Sequence, residues 1–223
     1  MAARKWAVAA MASTLLMTQT TSDGKLQLSA QQREWFTQLG ERIIAEYQQH
    51  RAPGFAWFNN HDYWAVAATG MLIQRDDFIQ WADGNLRLGL QQAVKASDSS
   101  YAYLPLEVAR GKLAATYSQY ALVPLVLLTE SARVNGLPWS TEDQQTLELL
   151  GNFAARSILD PDDLPELKGK SQTSVAPYKL AWLVPLLQRL LDATQRQGCV
   201  VRINQVAQAV APGALLCVQS ASQ

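Results

Sequence analysis

The chain has 223 residues, enough for one large domain with a sizeable core, and 48% of them are hydrophobic, which excludes a mainly disordered protein. Its 19 lysines and arginines balance 19 aspartates and glutamates. A net charge of zero argues against a general nucleic-acid-binding protein, but it leaves room for a local basic cleft that holds a polyanion. Cys199 and Cys217 have no nearby histidine, so they predict neither a zinc site nor a disulfide framework, although one disulfide bond is compatible with the sequence.

The first seventeen residues have two interpretations. Arg4 and Lys5 precede an apolar run, as in a secretory signal, but Ser13 interrupts the run and no clean cleavage site follows it. The run is also too short to span a bilayer. We favour the alternative, a buried helix whose core stripe contains Trp6, Ala10, Leu16 and Met17.

Helical signals then follow one another along the chain. Residues 31–49 carry apolar side chains at three- and four-residue steps, with Ser29 as N-cap. Further helices are predicted to begin at Asn59 or Asn60 and at Asp76 or Asp77, and to continue to about Ile73 and Leu90 respectively.

The second half predicts fewer but longer elements. Residues 105–134 form a helix that Pro124 should kink or divide and that Asn135-Gly136 ends. A helix capped by Ser140 or Thr141 reaches about Leu159, a polar loop covers 160–170, and another helix covers 178–195. The one convincing strand-like run is short, at 200–203. The predicted class is all-α, with antiparallel helix pairs that form a bundle, a solenoid or a toroid.

Two clusters carry candidate chemistry. In the first, FAWFNNHDYW at 55–64, Asn60 and His61 lie at the start of a predicted helix, where backbone N–H groups favour an anion. In the second, LPLEVARGKLAATYSQY at 104–120, Arg110 and Tyr117 are two helical turns apart, so one continuous helix would project both from one face about 10 Å apart, with the small Ala114 between them. Each cluster also has a structural interpretation: Asn60 caps the helix and His61 packs against neighbouring aromatic rings, or Arg110 pairs with Glu107 on the surface and Tyr117 enters the core.

Together these residues resemble the alginate lyase family, polysaccharide lyase family 5. The similarity lies in Asn59-Asn60-His61-Asp62-Tyr63-Trp64-Ala65, in Leu104-Pro105 with Glu107 and Arg110, and in Tyr117-x-x-Tyr120-Ala121-Leu122. Residues 4–7 resemble a motif on an earlier helix of those enzymes, and residues 160–169 resemble a later loop. The resemblance implies an incomplete α/α toroid, with residues 1–223 as a single, N-terminally shortened domain in which 200–223 match poorly. It also favours a helix over a signal peptide at the N-terminus.

The resemblance also implies a reaction, the β-elimination of a 4-O-linked uronic acid polymer. Asn60, His61 and Arg110 would neutralise the charge that collects on the uronate carboxyl group, and Tyr117 would act as base, acid or both, with His61 as an alternative base. Lys5 and Trp6 would lie along the sugar path, with core packing as the alternative for Trp6. Tyr63 and Trp64 are expected in the core. No metal or other cofactor is expected, and the implied location is periplasmic.

This chain also departs from the family pattern. Ser118 follows Tyr117 where family members often have histidine, and residues 108–113 hold only Arg110 and Lys112 as cations. These differences leave the polymer open, with mannuronate-rich alginate as the first expectation and glucuronan as another. The alternative functions are a catalytically weak uronan-binding remnant and, more weakly, a glycoside hydrolase, which would need a second carboxylate opposite Glu107. The expected partner is therefore an anionic polysaccharide, neither nucleic acid nor membrane, and the oligomeric state stays open.

Overall fold

The computed structural model describes residues 2–22, 24–49 and 60–186. Both cysteines, His50, Asn59, the strand expected at 200–203 and the helix expected beyond residue 186 lie outside these ranges. Contacts divide the chain into two compact units. Among the described residues, the first unit comprises those up to Gly89 together with Leu128–Pro138, and the second comprises Leu90–Leu127 with those from Trp139 to Leu186.

The first unit is built on a central apolar helix. Its elements are α1 (Ala2–Thr21), α2 (Ala30–Gln49), α3 (Asn60–Ile73) and α4 (Asp76–Leu90). Both α1 and α2 pack against α3, whose residues 65–70 are all buried. The expected helices at 31–49, 60–73 and 76–90 are confirmed. At the start of α2, Ser29 and Gln32 exchange hydrogen bonds between side chain and backbone N–H, which is the reciprocal geometry of a capping box.

Helix α1 is confirmed, but the expected core stripe on it is wrong. Trp6 and Met17 are 42% and 69% exposed, and Ala10 is exposed. Of the four residues expected in the stripe, the partly buried Leu16 does pack against the core. The buried face is instead made of Val8, Ala9 and Ala12. Small side chains allow two helix backbones to approach closely, so the tight packing of α1 on α3 uses this face rather than the one with the largest residues.

The second unit begins with a hairpin that the sequence did not predict. Strands β1 (Val94–Lys95) and β2 (Ala102–Tyr103) pair antiparallel. After them come α5 (Pro105–Val108), a 3-10 turn at Gly111–Leu113, α6 (Ala114–Val134) and α7 (Thr141–Leu159). The residues of α6 from Leu128 onward belong to the first unit. Two more 3-10 turns, Pro161–Asp163 and Pro177–Leu180, lead to a helical turn at 183–186. The described residues are therefore mainly helical, which confirms the all-α class, while the toroid stays a prediction.

The long helix expected at 105–134 is divided, but not at Pro124. Pro124 lies inside the uninterrupted α6, so the prediction that it would break the helix in two is wrong. The break lies at 109–113 instead, where Gly111 adopts a positive φ of 63°. This left-handed conformation suits glycine and cannot continue a right-handed helix, so it separates α5 from α6.

Other boundaries agree with the sequence in part. Helix α6 ends before Gly136, which has a positive φ, and α7 begins with a capping box between Ser140 and Asp143. The segment 160–170 is less polar than expected, because Leu164 and Leu167 are buried in the core with Phe153. The helix expected from residue 178 starts as a 3-10 turn. Across the described ranges, no helix has the length and apolar character needed to cross a membrane.

Candidate functional site

A buried ion pair lies at the start of α3. The Lys5 ammonium on α1 donates a 2.6 Å hydrogen bond to the Asp62 carboxylate, and their side chains are 12% and 3% exposed. Burial raises the pKa of Asp62 to about 6, against the opposing influence of Lys5. The predicted role of Lys5 in substrate binding stays a prediction, and a substrate carboxylate would compete with Asp62 for the ammonium group.

Asn60 and His61 are the first two residues of α3, directly before Asp62. Their placement on the first turn of a helix agrees with the sequence prediction, while their side chains lie outside the described part of the chain. The expectation that Tyr63 and Trp64 lie in the core is confirmed. Tyr63 is buried, with its hydroxyl donating to that of Tyr47 at 2.9 Å, and the partly buried Trp64 donates from Nε1 to Ser13.

Trp6, one residue after Lys5, has the exposed indole noted above. This exposure does not fit the core-packing alternative. Its role on the sugar path stays a prediction.

Arg110 and Tyr117 are neighbours in the second unit, although not by the expected geometry. They do not lie two turns apart on one helix, because the chain turns at 109–113 and only Tyr117 belongs to α6. Ala114, which was expected on the same face between them, is fully buried. The turn brings the Arg110 guanidinium carbon to 4.5 Å from the centroid of the half-buried Tyr117 ring. This cation–π contact places a fixed positive charge beside a phenol.

Glu107, three residues before Arg110, is a buried carboxyl group rather than half of a surface ion pair. Its residue is 1% exposed, and its Oε2 accepts no hydrogen bond from the described residues. Burial raises the pKa of Glu107 to about 8, while the charge of Arg110 lowers it. The raised pKa of Glu107 favours its neutral form near pH 7.

The turn that carries Arg110 is held by a segment distant in sequence. Gln172 accepts a 3.0 Å hydrogen bond from the N–H of Ala115 and donates to the carbonyl of Gly111 at 3.2 Å. The N–H of Thr173 donates to the carbonyl of Lys112 at 2.9 Å. Together these bonds satisfy backbone groups at the turn and at the first residues of α6, and so fix the approach of Arg110 to Tyr117.

A polar groove of about 790 Å³ runs beside this segment. Ala115, Ser157, Asp162 and residues 169–175 line it, whereas Arg110 and Tyr117 do not. Within the described ranges, no group of three or more histidine, cysteine, aspartate or glutamate residues has the arrangement of a metal site.

Sequence reasoning named Glu107 but did not predict its burial, and it did not single out Gln172 or Lys179. Glu107 has a weak signal, since Leu106 and Val108 beside it are apolar and suggest burial. Gln172 and Lys179 have none, because their importance comes from contacts across more than fifty residues of sequence.

Comparison with known proteins gives a consistent result. The family model described as alginate lyase matches residues 2–164. Alginate lyases from Cobetia marina and Pseudomonas fluorescens are 29% and 30% identical over 192 residues, 82% of this chain. A third, from Pseudomonas aeruginosa, is 27% identical over the same share. The aligned region is 49% to 50% of these relatives, so the chain spans about half their length. The chain belongs to the alginate lyase family.

Proposed function

We propose that this chain is a polysaccharide lyase that cleaves a 4-O-linked polyuronate by β-elimination, with mannuronate-rich alginate as its substrate. Membership of the family supports this reaction class, and the curated relatives are named alginate lyases. The observation that carries the proposal is the contact of Arg110 with Tyr117, because the reaction needs a cation and a proton-transferring group side by side. The proposal treats residues 1–223 as one lyase domain.

The chemistry explains the need for both groups. β-Elimination removes the proton at C5, next to the carboxyl group, and expels the oxygen at C4. The proton at C5 is only weakly acidic while the carboxylate keeps its charge, so donors that neutralise the carboxylate lower the barrier. Arg110 can bind that carboxylate with two parallel hydrogen bonds, and the raised pKa of the nearby Glu107 favours the neutral form of that side chain.

Tyr117 is proposed as the group that takes the proton from C5, returns one to the leaving oxygen, or does both. Asn60 and His61 are proposed, by family resemblance, as further donors to the carboxylate, with His61 as an alternative base. Trp6 is proposed to contact the sugar chain, because its indole is exposed. The periplasmic location belongs to the same proposal and rests on resemblance alone.

The test is product formation. The full chain is incubated separately with polymannuronate, polyguluronate and glucuronan, and the ultraviolet absorbance of an unsaturated uronate end is followed. We expect the absorbance to rise fastest with polymannuronate. Equal or faster cleavage of another polymer would contradict the mannuronate preference. Binding without product with all three polymers would contradict the lyase function and favour a uronan-binding protein.

Tyr117→Phe tests the proton-transfer role directly. Only the hydroxyl is lost, so the fold should persist while kcat falls by about 100- to 10,000-fold, the usual contribution of a general acid or base. Tyr103→Phe is the matched control, since it removes a hydroxyl from a half-buried tyrosine on β2 of the same unit. If both variants keep the kcat of the unmodified chain, Tyr117 is not the proton-transfer group.

A further inference from the structure

A line of tyrosine rings and cations continues from Arg110 and Tyr117. On α6, the rings of Tyr117 and Tyr120 have centroids 6.5 Å apart. The Lys179 ammonium lies 5.2 Å from the centroid of the Tyr120 ring and 5.7 Å from that of Tyr178. Cations and phenol rings therefore lie next to one another from Arg110 to Tyr178.

Solvent reaches the far end of this line. Tyr178 is 69% exposed, and Lys179 and Tyr120 are partly exposed. Burial raises the pKa of Tyr120, with Tyr178 and Tyr117 acting in the same direction, so its phenol is neutral at ordinary pH. Among the described residues, the Lys179 ammonium contacts these two rings and neither donates a hydrogen bond nor pairs with a carboxylate. An accessible cation between aromatic faces fits an anionic ligand that also has an apolar face.

A buried hydrogen-bond network fixes the segment that carries Lys179. The indole N–H of Trp182 donates to Oε1 of Gln119 at 2.8 Å, and Nε2 of Gln119 donates to the carbonyl of Ala154 at 2.7 Å. Trp182 and Gln119 are both fully buried. Because Gln119 lies on α6 between Tyr117 and Tyr120, the segment around Lys179 is attached to the same helix that carries the proposed proton-transfer group. A ligand at Lys179 would therefore be held at a fixed distance from Tyr117.

We propose that Lys179, Tyr120 and Tyr178 form a second uronate-binding position, adjoining the one at Arg110 and Tyr117. Lys179 pairs with the carboxylate of one uronate residue, and the exposed ring of Tyr178 packs against the C–H face of the same sugar. The proposal rests on the proposed polyuronate lyase function and extends it, because it gives each of two uronate residues its own cation. Lys179 binds substrate and takes no part in proton transfer.

The test compares Lys179→Gln with Lys95→Gln, which removes the same charge from an exposed position on β1 of the same unit. With polymannuronate, we expect Lys179→Gln to raise KM about tenfold and to leave kcat within about twofold, as expected for the loss of uniform binding. KM should also depend less on salt, because one contact between opposite charges is gone. Lys179→Arg should restore most of the affinity, and Lys95→Gln should match the unmodified chain. Circular dichroism confirms that each variant is folded.

Polymer binding, measured by calorimetry, separates this proposal from the lyase function. If the unmodified chain makes no unsaturated product but Lys179→Gln still weakens binding about tenfold, the lyase function is wrong and the uronate position stands. If product forms and Lys179→Gln changes neither KM nor the dissociation constant, the second uronate position is wrong and the lyase function stands. An equal loss of affinity in Lys95→Gln would also overturn the second uronate position, because the loss of one positive charge anywhere on this unit would then explain the effect.

Discussion

The two units hold their candidate residues by different means. In the first unit, the start of α3 is joined to α1 by a buried ion pair, Lys5 with Asp62. In the second, the turn that carries Arg110 is joined to residues 172 and 173 by neutral hydrogen bonds. A buried ion pair depends strongly on pH and on both partners being present, whereas bonds between amide groups do not titrate.

The same difference appears in the two buried carboxyl groups. Asp62 receives a cation from another helix, and its pKa is raised to about 6. Glu107 has one oxygen without a hydrogen-bond partner among the described residues, and its pKa is raised to about 8. Burial is the largest cause of both shifts. The two carboxyl groups therefore differ in whether the fold brings a cation to hydrogen-bonding distance. Three variants test this difference.

The largest effect is expected from Lys5→Met. Removing the cation leaves Asp62 buried without its partner, which typically costs about 3–5 kcal/mol of unfolding free energy. The loss should be largest near pH 8, where Asp62 is ionised, and smaller near pH 5, below its pKa of about 6. Urea unfolding at the two pH values measures it.

Two further variants show whether the effect of Lys5→Met comes from the loss of the ion pair. The double variant Lys5→Met/Asp62→Asn should recover part of the loss at pH 8, since no carboxylate then stays unpaired. Lys25→Met, at an exposed position, should change little. An equal loss at both pH values would mean that the packing of the lysine stem, not the ion pair, stabilises this region.

Glu107→Gln is expected to raise the unfolding free energy relative to the unmodified chain as pH increases, whereas Lys5→Met lowers it. Because the pKa of Glu107 is raised from 4.5 to about 8, the native state binds more protons than the unfolded state between those values. Stability therefore falls as pH rises through this window, and this loss is absent in the glutamine variant. Between pH 5 and pH 9, the variant should gain about 2–4 kcal/mol relative to the unmodified chain.

Unfolding free energies measured in urea across that pH range provide the check. Glu34→Gln, an exposed position on α2, is the control for loss of one negative charge. If the curves of Glu107→Gln and the unmodified chain stay parallel, Glu107 is ionised throughout and the contrast with Asp62 does not hold.

The smallest effect is expected from Gln172→Ala. The variant loses the acceptor for the N–H of Ala115, with a cost of about 1 kcal/mol, close to that of a lost helix cap. This cost should be the same at pH 5 and pH 9, because no ionisable group is involved.

If the lyase function holds, kcat/KM should also fall severalfold as the turn that carries Arg110 loosens. Ser171→Ala, at the exposed neighbouring position, should affect neither quantity. If the loss of unfolding free energy in Gln172→Ala depended on pH, the contrast between neutral hydrogen bonds in this unit and an ion pair in the other would be wrong.

Much of the secondary structure could be predicted because its signals are local. Ser29 and Ser140 satisfy backbone groups within their own first turn, and Gly136 adopts its left-handed conformation through its own lack of a Cβ atom. Such effects need no distant partner, so the starts of α2 and α7 and the end of α6 follow from the sequence. The candidate residues were likewise named from short motifs, and their catalytic roles stay predictions.

Other features were decided by tertiary contacts. Pro124 removes one hydrogen bond from α6, but Leu122, Leu125 and Val126 beside it are buried, and their packing opposes a break. The hairpin at 94–103 is too short to be stable alone and packs against α7.

The sequence by itself determined the all-α class, most helix boundaries and membership of the alginate lyase family, because these depend on local periodicity, capping and motif residues. The tertiary structure decided which face of α1 is buried, that Glu107 is a buried carboxyl group with a raised pKa, and that Arg110 meets Tyr117 through a turn. It also brought Lys179 to Tyr120 across 59 residues. The physical reason is that burial and ion pairing depend on which segments meet in space, and residue spacing along the chain does not contain that information.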